Sequence, residues 1–247
     1  MTNRLKTATA LLTWASLAMA GTASAATWTF QSNNSSNTQG GVTASATAWA
    51  NTVGSANTLI ESAYLTYNGG SGLGIRHADG ETTSSPEHAA DNNGRIETFM
   101  FGFSGDKVNL TSAYFGWVDN DSDYSVYAWT GAGAGSVAGL SYGNLTSNGW
   151  TLVGHYNSNG SAGTKSFANS QYSSHWLIGA YNGTGSGMDS NKDYFKLAKL
   201  TGGVCTDNPM GNGCGYVPPS GVPEPGTLLL IGAGLLGMTR LQRRRMA

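Results

Sequence analysis

Short runs of β-forming residues, separated by turns rich in glycine and asparagine, fill the middle of this 247-residue chain. Residues 26–30 alternate small or polar side chains with aromatic ones, and residues 96–103 are a continuous run of β-formers. Seven further runs predict strands at 59–67, 107–117, 125–130, 151–156, 165–167, 175–180 and 193–200. Because no long amphipathic helix lies between the two ends, the pattern predicts an all-β fold.

The same region contains six tryptophans, which argue against disorder because such large rings need a core in which to pack. They are Trp28, Trp49, Trp117, Trp129, Trp150 and Trp176. Antiparallel strands at intervals of roughly 10–20 residues predict a β-sandwich of jelly-roll type. Residues 26–203 are enough for one such domain.

The first 25 residues are organised like a secretory signal peptide. Arg4 and Lys6 precede an apolar stretch at 8–20, and Ala23-Ser24-Ala25 supplies a small-x-small cleavage pattern. We therefore predict that residues 1–25 are removed, that the mature chain starts at Ala26, and that the following domain is exported.

The last 26 residues combine three features in order. A Val-Pro-Glu-Pro sequence is followed by an apolar segment at 227–238 and then by a basic cluster. The motif is Val222, Pro223, Glu224 and Pro225, and the cluster is Arg240, Arg243, Arg244 and Arg245. The apolar segment is short for a membrane helix, but clustered arginines stay cytoplasmic and lengthen the span by snorkelling. We predict one transmembrane helix, with a buried core helix as the alternative.

This tail resembles the PEP-CTERM sorting signal of Gram-negative bacteria, which an exosortase reads in the inner membrane. The body also resembles exosortase-dependent surface proteins with a β-sandwich, through residues 72–75, 85–93, 99–103, 116–117 and 121–126. The resemblance brings no catalytic residues. It implies exosortase as the processing partner, transient contact with the inner membrane, and a surface or matrix protein of bacteria that make exopolysaccharide. Residues 223–247 are then the sorting signal.

The only two cysteines, Cys205 and Cys214, lie in the segment 204–222 that links the domain to this tail. In an exported protein the pairing we predict is a disulfide. Zinc binding is the weaker alternative, because two thiols without a nearby histidine leave a zinc site half filled.

Charge excludes one class of partner. Residues 26–222 contain 13 acidic and 7 basic residues, a net charge of about −6. An acidic body without a basic patch is the opposite of a nucleic-acid-binding surface, because neutralised phosphates supply most of that affinity.

Acidic residues at alternate positions in 119–123 have a spacing that calcium loops use, because hard oxygen ligands must converge on one ion. Loops at one end of a β-sandwich come together. A structural calcium is therefore a hypothesis, shared between Asp119 or Asp121 and the loop that carries Glu87 and Asp91. The alternative is a solvated acidic turn.

Catalytic patterns are weak. His88 lies among Glu87 and Asp91, but Ser85-Pro86-Glu87 also suits the first turn of a helix. A glycosidase needs two carboxylates across a cleft, and the candidates do not single out a pair: Glu61, Glu81, Glu87 and Glu97. The glycine-rich run 131–140 lacks the spacing of a phosphate loop and is interpreted as a flexible turn.

These observations predict a non-enzymatic exported surface or matrix protein, linked to exopolysaccharide or biofilm and needing no cofactor beyond the hypothetical calcium. One alternative is a secreted carbohydrate-binding module, because exposed tryptophans stack on sugars. The other is a polysaccharide hydrolase. Tryptophan exposure distinguishes the surface protein from the carbohydrate-binding module. A flat row of solvent-facing rings would favour sugar binding, whereas fully buried rings would favour a structural role.

Overall fold

The computed structural model describes residues 25–31, 34–79, 81, 88–207 and 211–214. This part of the chain forms thirteen strands. In chain order they are β1 Ala26–Thr29, β2 Ser36–Gln39, β3 Val42–Asn51, β4 Ile60–Tyr67, β5 Leu73–Arg76, β6 Ala90–Asp91, β7 Glu97–Ser104, β8 Val108–Asn120, β9 Tyr124–Trp129, β10 Trp150–Tyr156, β11 Gly163–Ser166, β12 His175–Ala180 and β13 Asp193–Val204. Its helical segments are short 3₁₀ turns at Gly69–Ser71, Tyr142–Asn148 and Cys205–Asp207.

The prediction of an all-β antiparallel fold is confirmed. All nine predicted strands are present, with ends that shift by a few residues, and the pairings between named strands are antiparallel. The finer description, a jelly-roll sandwich, stays a prediction. Four strands were not predicted: β2, β3, β5 and β6.

The sheet curls because β4 is shared between two groups of strands. Residues 60–63 of β4 pair with β3, whereas residues 64–67 pair with β5. We call β2, β3, β7, β9, β10 and β12 the β3 half, and β1, β5, β6, β8, β11 and β13 the β13 half. In the β13 half, β13 pairs along its length with β8, while β6, β5 and β1 follow one another along its other edge.

Aromatic rings from the two halves pack against each other in the main core. Phe195 of β13 stacks on Phe115 of β8, with ring centroids 3.9 Å apart, and lies 6.3 Å from Phe99 of β7. Trp28 of β1 meets the edge of Phe103 of β7 at 5.1 Å. These side chains are buried, so burial of large rings holds the halves together.

A second, smaller core lies on the other side of the β3 half. In β12, Trp176 and Ile178 enter the main core, whereas Leu177 between them enters the small one, as the two-residue period of a strand requires. Residues 131–148 cover this face and contribute Val137 and Leu145, both fully buried. The flexible-turn interpretation of 131–140 is therefore wrong at Val137, which is a core residue.

Candidate functional site

The predicted sorting residues lie outside the described part of the chain. These are the motif Val222, Pro223, Glu224 and Pro225, and the arginines Arg240, Arg243, Arg244 and Arg245. Ala23 of the predicted signal-cleavage site and Glu87 of the predicted calcium site also lie outside the described residues. Ala25 and Ala26 are described, and Ala26 is the first residue of β1, where it pairs with Gly202 of β13. Signal cleavage before Ala26 stays a prediction.

An acidic cluster lies where β8, β9 and β13 meet. One carboxylate oxygen from each of Asp121, Asp123 and Asp189 lies within 4.8 Å of the other two. Asp121 and Asp123 are buried and Asp189 is exposed. Three convergent carboxylates have the donor chemistry that Ca²⁺ prefers.

The membership of this cluster differs from the predicted ligand set. Only Asp121 is common to both. Asp119 is exposed at the end of β8, and Asp91 is buried in β6, where its Oδ1 accepts a hydrogen bond from the Asn93 backbone N–H at 2.8 Å. Asp123, the third carboxylate of the alternating pattern, belongs to the cluster instead, and the predicted ligand Glu87 lies outside the described residues. Calcium binding itself stays a prediction.

Asp193 organises the backbone beside this cluster. Its Oδ1 accepts a hydrogen bond from the Asp123 backbone N–H at 2.7 Å, and its Oδ2 accepts one from Asn92 Nδ2 at 2.5 Å. Burial, together with the neighbouring charges of Asp123 and Asp121, raises the pKa of Asp193 to about 8, although the hydrogen bond from the Asp123 backbone N–H acts to lower it. Asp193 therefore ties the loop at Asn92 to the start of β9.

Two of the glutamates considered as glycosidase candidates, Glu61 and Glu81, have structural partners. Glu61 forms an ion pair with Arg95 at 3.2 Å, and Arg95 also contacts Asp79. The two carboxylate oxygens of Glu81 accept hydrogen bonds from the backbone N–H groups of His77 and His88.

Among the described residues, the fully buried Glu97 and the half-buried His88 each have one buried side-chain atom without a hydrogen-bond partner. Glu97 is fully buried, its Oε2 accepts a hydrogen bond from the Asp91 backbone N–H at 3.3 Å, and its Oε1 has no partner there. Burial raises the pKa of Glu97 well above its ordinary value, and the charges of Asp91 and Glu81 raise it further. His88 Nε2 is likewise unpartnered within the described chain.

The predicted disulfide is confirmed. Cys205 and Cys214 are bonded, with Cα atoms 5.5 Å apart. The closed loop docks onto the β domain, since the Asn212 carbonyl accepts a hydrogen bond from the Tyr172 backbone N–H at 2.7 Å and the Gly213 carbonyl accepts one from Lys107 Nζ at 2.5 Å. We call residues 211–214 the disulfide loop.

A cleft of about 520 Å³ lies between this loop and the glycine-rich run after β9. Polar residues and two aromatic residues contribute to its lining: Lys107, Trp129, Thr130, Gln171, Tyr172, Ser174 and Asn212. A second cleft, of about 410 Å³, lies beside the start of β1 and includes Thr27, Gln39 and Asp207. Among the described residues, the lining of the first cleft includes no carboxylate, and that of the second includes one, Asp207.

The ring of Trp129 is held rigidly beside the first cleft. Its Nε1–H donates to the Gly133 carbonyl at 2.9 Å, and its ring meets the edge of Trp150 with centroids 5.3 Å apart. A Cβ on Gly131 would lie 2.6 Å from Trp129 Cζ2, and one on Gly149 would lie 2.7 Å from Cζ3. Glycine at these two positions therefore lets backbone pack directly against the indole.

The exposure of the tryptophans matches neither a flat row of solvent-facing rings nor a set of fully buried ones. Trp28, Trp150 and Trp176 are buried in the two cores, whereas Trp49, Trp117 and Trp129 are half-buried. Trp117 is covered by Lys196, whose Nζ lies 4.7 Å from the ring centroid. Of the three half-buried rings, Trp129 is the one that lines the described cleft.

The sequence did not point to this cleft, because its residues come from four separate segments. Gln171 and Asn212 are 41 positions apart and meet only through the docked disulfide loop. The sequence offers one signal, a tryptophan at position 129 followed by the glycine-rich run 131–140, which is interpreted above as a flexible turn.

The fold and the C-terminal sequence together define a class, a β domain followed by a sorting signal. Residues 221–245 match the family model of the PEP-CTERM protein-sorting motif. The match confirms that the C-terminal tail is a PEP-CTERM sorting motif. The motif implies export, processing by exosortase and sorting to the cell envelope or surface. A search of curated proteins found no match to the chain, and neither did a search of solved structures. No helix among the described residues is long and apolar enough to cross a bilayer, and the predicted membrane segment 227–238 is not among them.

Proposed function

We propose that this chain is a non-enzymatic structural protein of the cell surface or biofilm matrix, which exosortase releases or transfers after export. The sorting motif at residues 221–245 carries the proposal. The roles of the described acidic residues support its non-enzymatic part. Asp123 and Asp193 accept hydrogen bonds from backbone N–H groups, and Glu61 pairs with Arg95, so these carboxylates serve the fold.

The test is the intact mass of the protein recovered from its native host, compared with the same host lacking exosortase. The expected result is loss of residues 1–25 in both strains, and loss of the residues after about Pro225 only where the enzyme is present. A variant with alanine at Pro223, Glu224 and Pro225 should keep its C-terminus in both strains.

The matched control replaces Pro218 and Pro219 with alanine, because these prolines lie just before the matched motif. This variant should be processed like the wild type. An intact C-terminus in the wild-type strain would contradict the proposal, and would make the tail a permanent anchor instead.

The second candidate function is carbohydrate binding. The observation that favours it is the cleft beside Trp129, where a rigid half-buried ring and several amide and hydroxyl groups share one concave surface. Such a surface suits a sugar, which has an apolar ring face and a rim of hydroxyl groups.

A further inference from the structure

We propose that the cleft between Trp129 and the disulfide loop binds a polysaccharide that carries carboxylate groups, and that the disulfide loop forms one wall of this binding site. The inference deepens the carbohydrate-binding candidate. It does not depend on processing by exosortase, because the residues that line the cleft all precede the sorting motif at residues 221–245.

The first argument is the geometry of the ring. A side chain that stacks on a sugar loses less freedom on binding when it is already held in place. Trp129 is held by its hydrogen bond to Gly133, by its edge contact with Trp150 and by the backbone at Gly131 and Gly149. The indole is therefore pre-organised, although it is only half-buried.

The second argument is the hydrogen-bonding capacity opposite the ring. Gln171 and Asn212 are joined by one hydrogen bond, from Asn212 Nδ2 to Gln171 Oε1 at 2.9 Å. Each amide side chain offers two donor hydrogens and two acceptor lone pairs, so the pair keeps groups for a ligand. Thr130 and Ser174 add hydroxyl groups to the same lining.

The third argument is charge. Lys107 is the charged residue in the lining, and no Asp or Glu of the described chain lines the cleft with it. Residues 26–222 together carry a net charge of about −6, so an acidic polymer is repelled by most of this surface. One lysine Nζ–H is used by the Gly213 carbonyl, which leaves two of the three donors for a carboxylate.

The fourth argument concerns the disulfide. Asn212 and Gly213 lie two positions and one position before Cys214, and they reach the cleft because the bond to Cys205 closes the loop. Without the bond, the contacts that hold residues 211–214 on the domain include hydrogen bonds to Tyr172, Gln171 and Lys107. The site should therefore form fully only in the oxidising compartment to which the protein is exported.

The experiment is isothermal titration of the purified full-length protein with two hexasaccharides, an oligogalacturonate and a neutral cello-oligosaccharide. The wild type should bind the acidic chain and bind the neutral chain at least tenfold more weakly. Lys107→Met should lower affinity for the acidic chain by about tenfold, the value of one charge-assisted hydrogen bond. Asn212→Ala should also weaken binding, and its exposed position leaves the fold intact.

The matched control is Lys199→Met, which removes the same charge from a residue stacked on Tyr114 and outside the cleft lining. It should bind as the wild type does. Reduction of the disulfide, or Cys214→Ser, should weaken binding severalfold while tryptophan fluorescence still reports a folded core. Equal losses for Lys107→Met and Lys199→Met, or equal affinity for the two hexasaccharides, would overturn the proposal.

Discussion

Gly202 and Gly203 are neighbours in β13, and replacing each by alanine should have opposite effects on stability. A Cβ on Gly202 would lie 2.3 Å from the backbone oxygen of Asn109 and 3.0 Å from Leu110 Cα in the paired strand β8. The nearest atom to a Cβ on Gly203 is Tyr172 Oη at 3.6 Å, an ordinary contact. Neither glycine has a left-handed φ, so space alone distinguishes the two positions.

The magnitudes follow from these distances. Gly203→Ala should raise the free energy of unfolding by about 0.4–1 kcal/mol, because alanine restricts the unfolded chain and fits the folded one. Gly202→Ala should lower it by about 1–3 kcal/mol, because an overpacked site must shift its neighbours. We expect a value near the upper end, since the obstructing atom belongs to the backbone of a paired strand and cannot rotate away as a side chain would.

Urea denaturation of the purified protein, followed by tryptophan fluorescence, measures both values. The two variants should show the same dependence of the free energy on urea concentration as the wild type, so that midpoints report stability. If Gly202→Ala were as stable as Gly203→Ala, the close approach of β13 to β8 would be refuted, and with it the register shift between Thr201 and Gly202.

Burial lowers the pKa of His175, whose Nδ1 accepts a hydrogen bond from the Gly135 backbone N–H at 3.3 Å. The unfolded state therefore takes up a proton at this histidine more readily, and the contribution of His175 to the free energy of unfolding should fall as the pH drops below about 6.5. The raised pKa values of Glu97 and Asp193 act in the opposite direction in both proteins, so the test is the difference between them: in urea titrations from pH 7 to pH 5, the free energy of unfolding of His175→Gln should rise relative to that of the wild type as the pH falls. Phe195→Ala should cost about 3–5 kcal/mol in the same assay at pH 7, because it leaves a cavity and removes the stack on Phe115, whereas Phe195→Leu should cost less. Cys214→Ser should cost about 2–3 kcal/mol on the chain-entropy estimate for so short a loop, and an unchanged unfolding midpoint would show that the loop is dispensable for stability.

The strands that the sequence predicted share one property, a run of aromatic or β-branched residues between turn signals. β3 lacks it, because its buried face consists of Val42 and four alanines at every second position, and alanine has a low strand propensity. The one strand signal in β3 is the alternation of apolar and polar residues: Val42, Ala44, Ala46 and Ala48 face the core, while the residues between them face outward. β5 and β6, with four and two residues, are too short to show an alternating pattern of apolar and polar residues.

The candidate sites show a similar limit. The sequence pattern includes two members of the acidic cluster, Asp121 and Asp123, because they are neighbours along the chain. It did not find Asp189, which joins them from the loop before β13. Similarly, the sequence shows six tryptophans in the domain but gives no reason to expect that Trp129, and not another of them, lines a cleft.

The sequence by itself determined the class of fold, the disulfide and the sorting motif at residues 221–245, because strand patterns, a single cysteine pair and a linear signal are local properties of a chain. Only the tertiary structure decided which side chains meet. Gln171 and Asn212 share a cleft with Trp129 because the disulfide loop folds back onto the domain. That contact depends on distances between residues far apart in the chain, which no local pattern encodes.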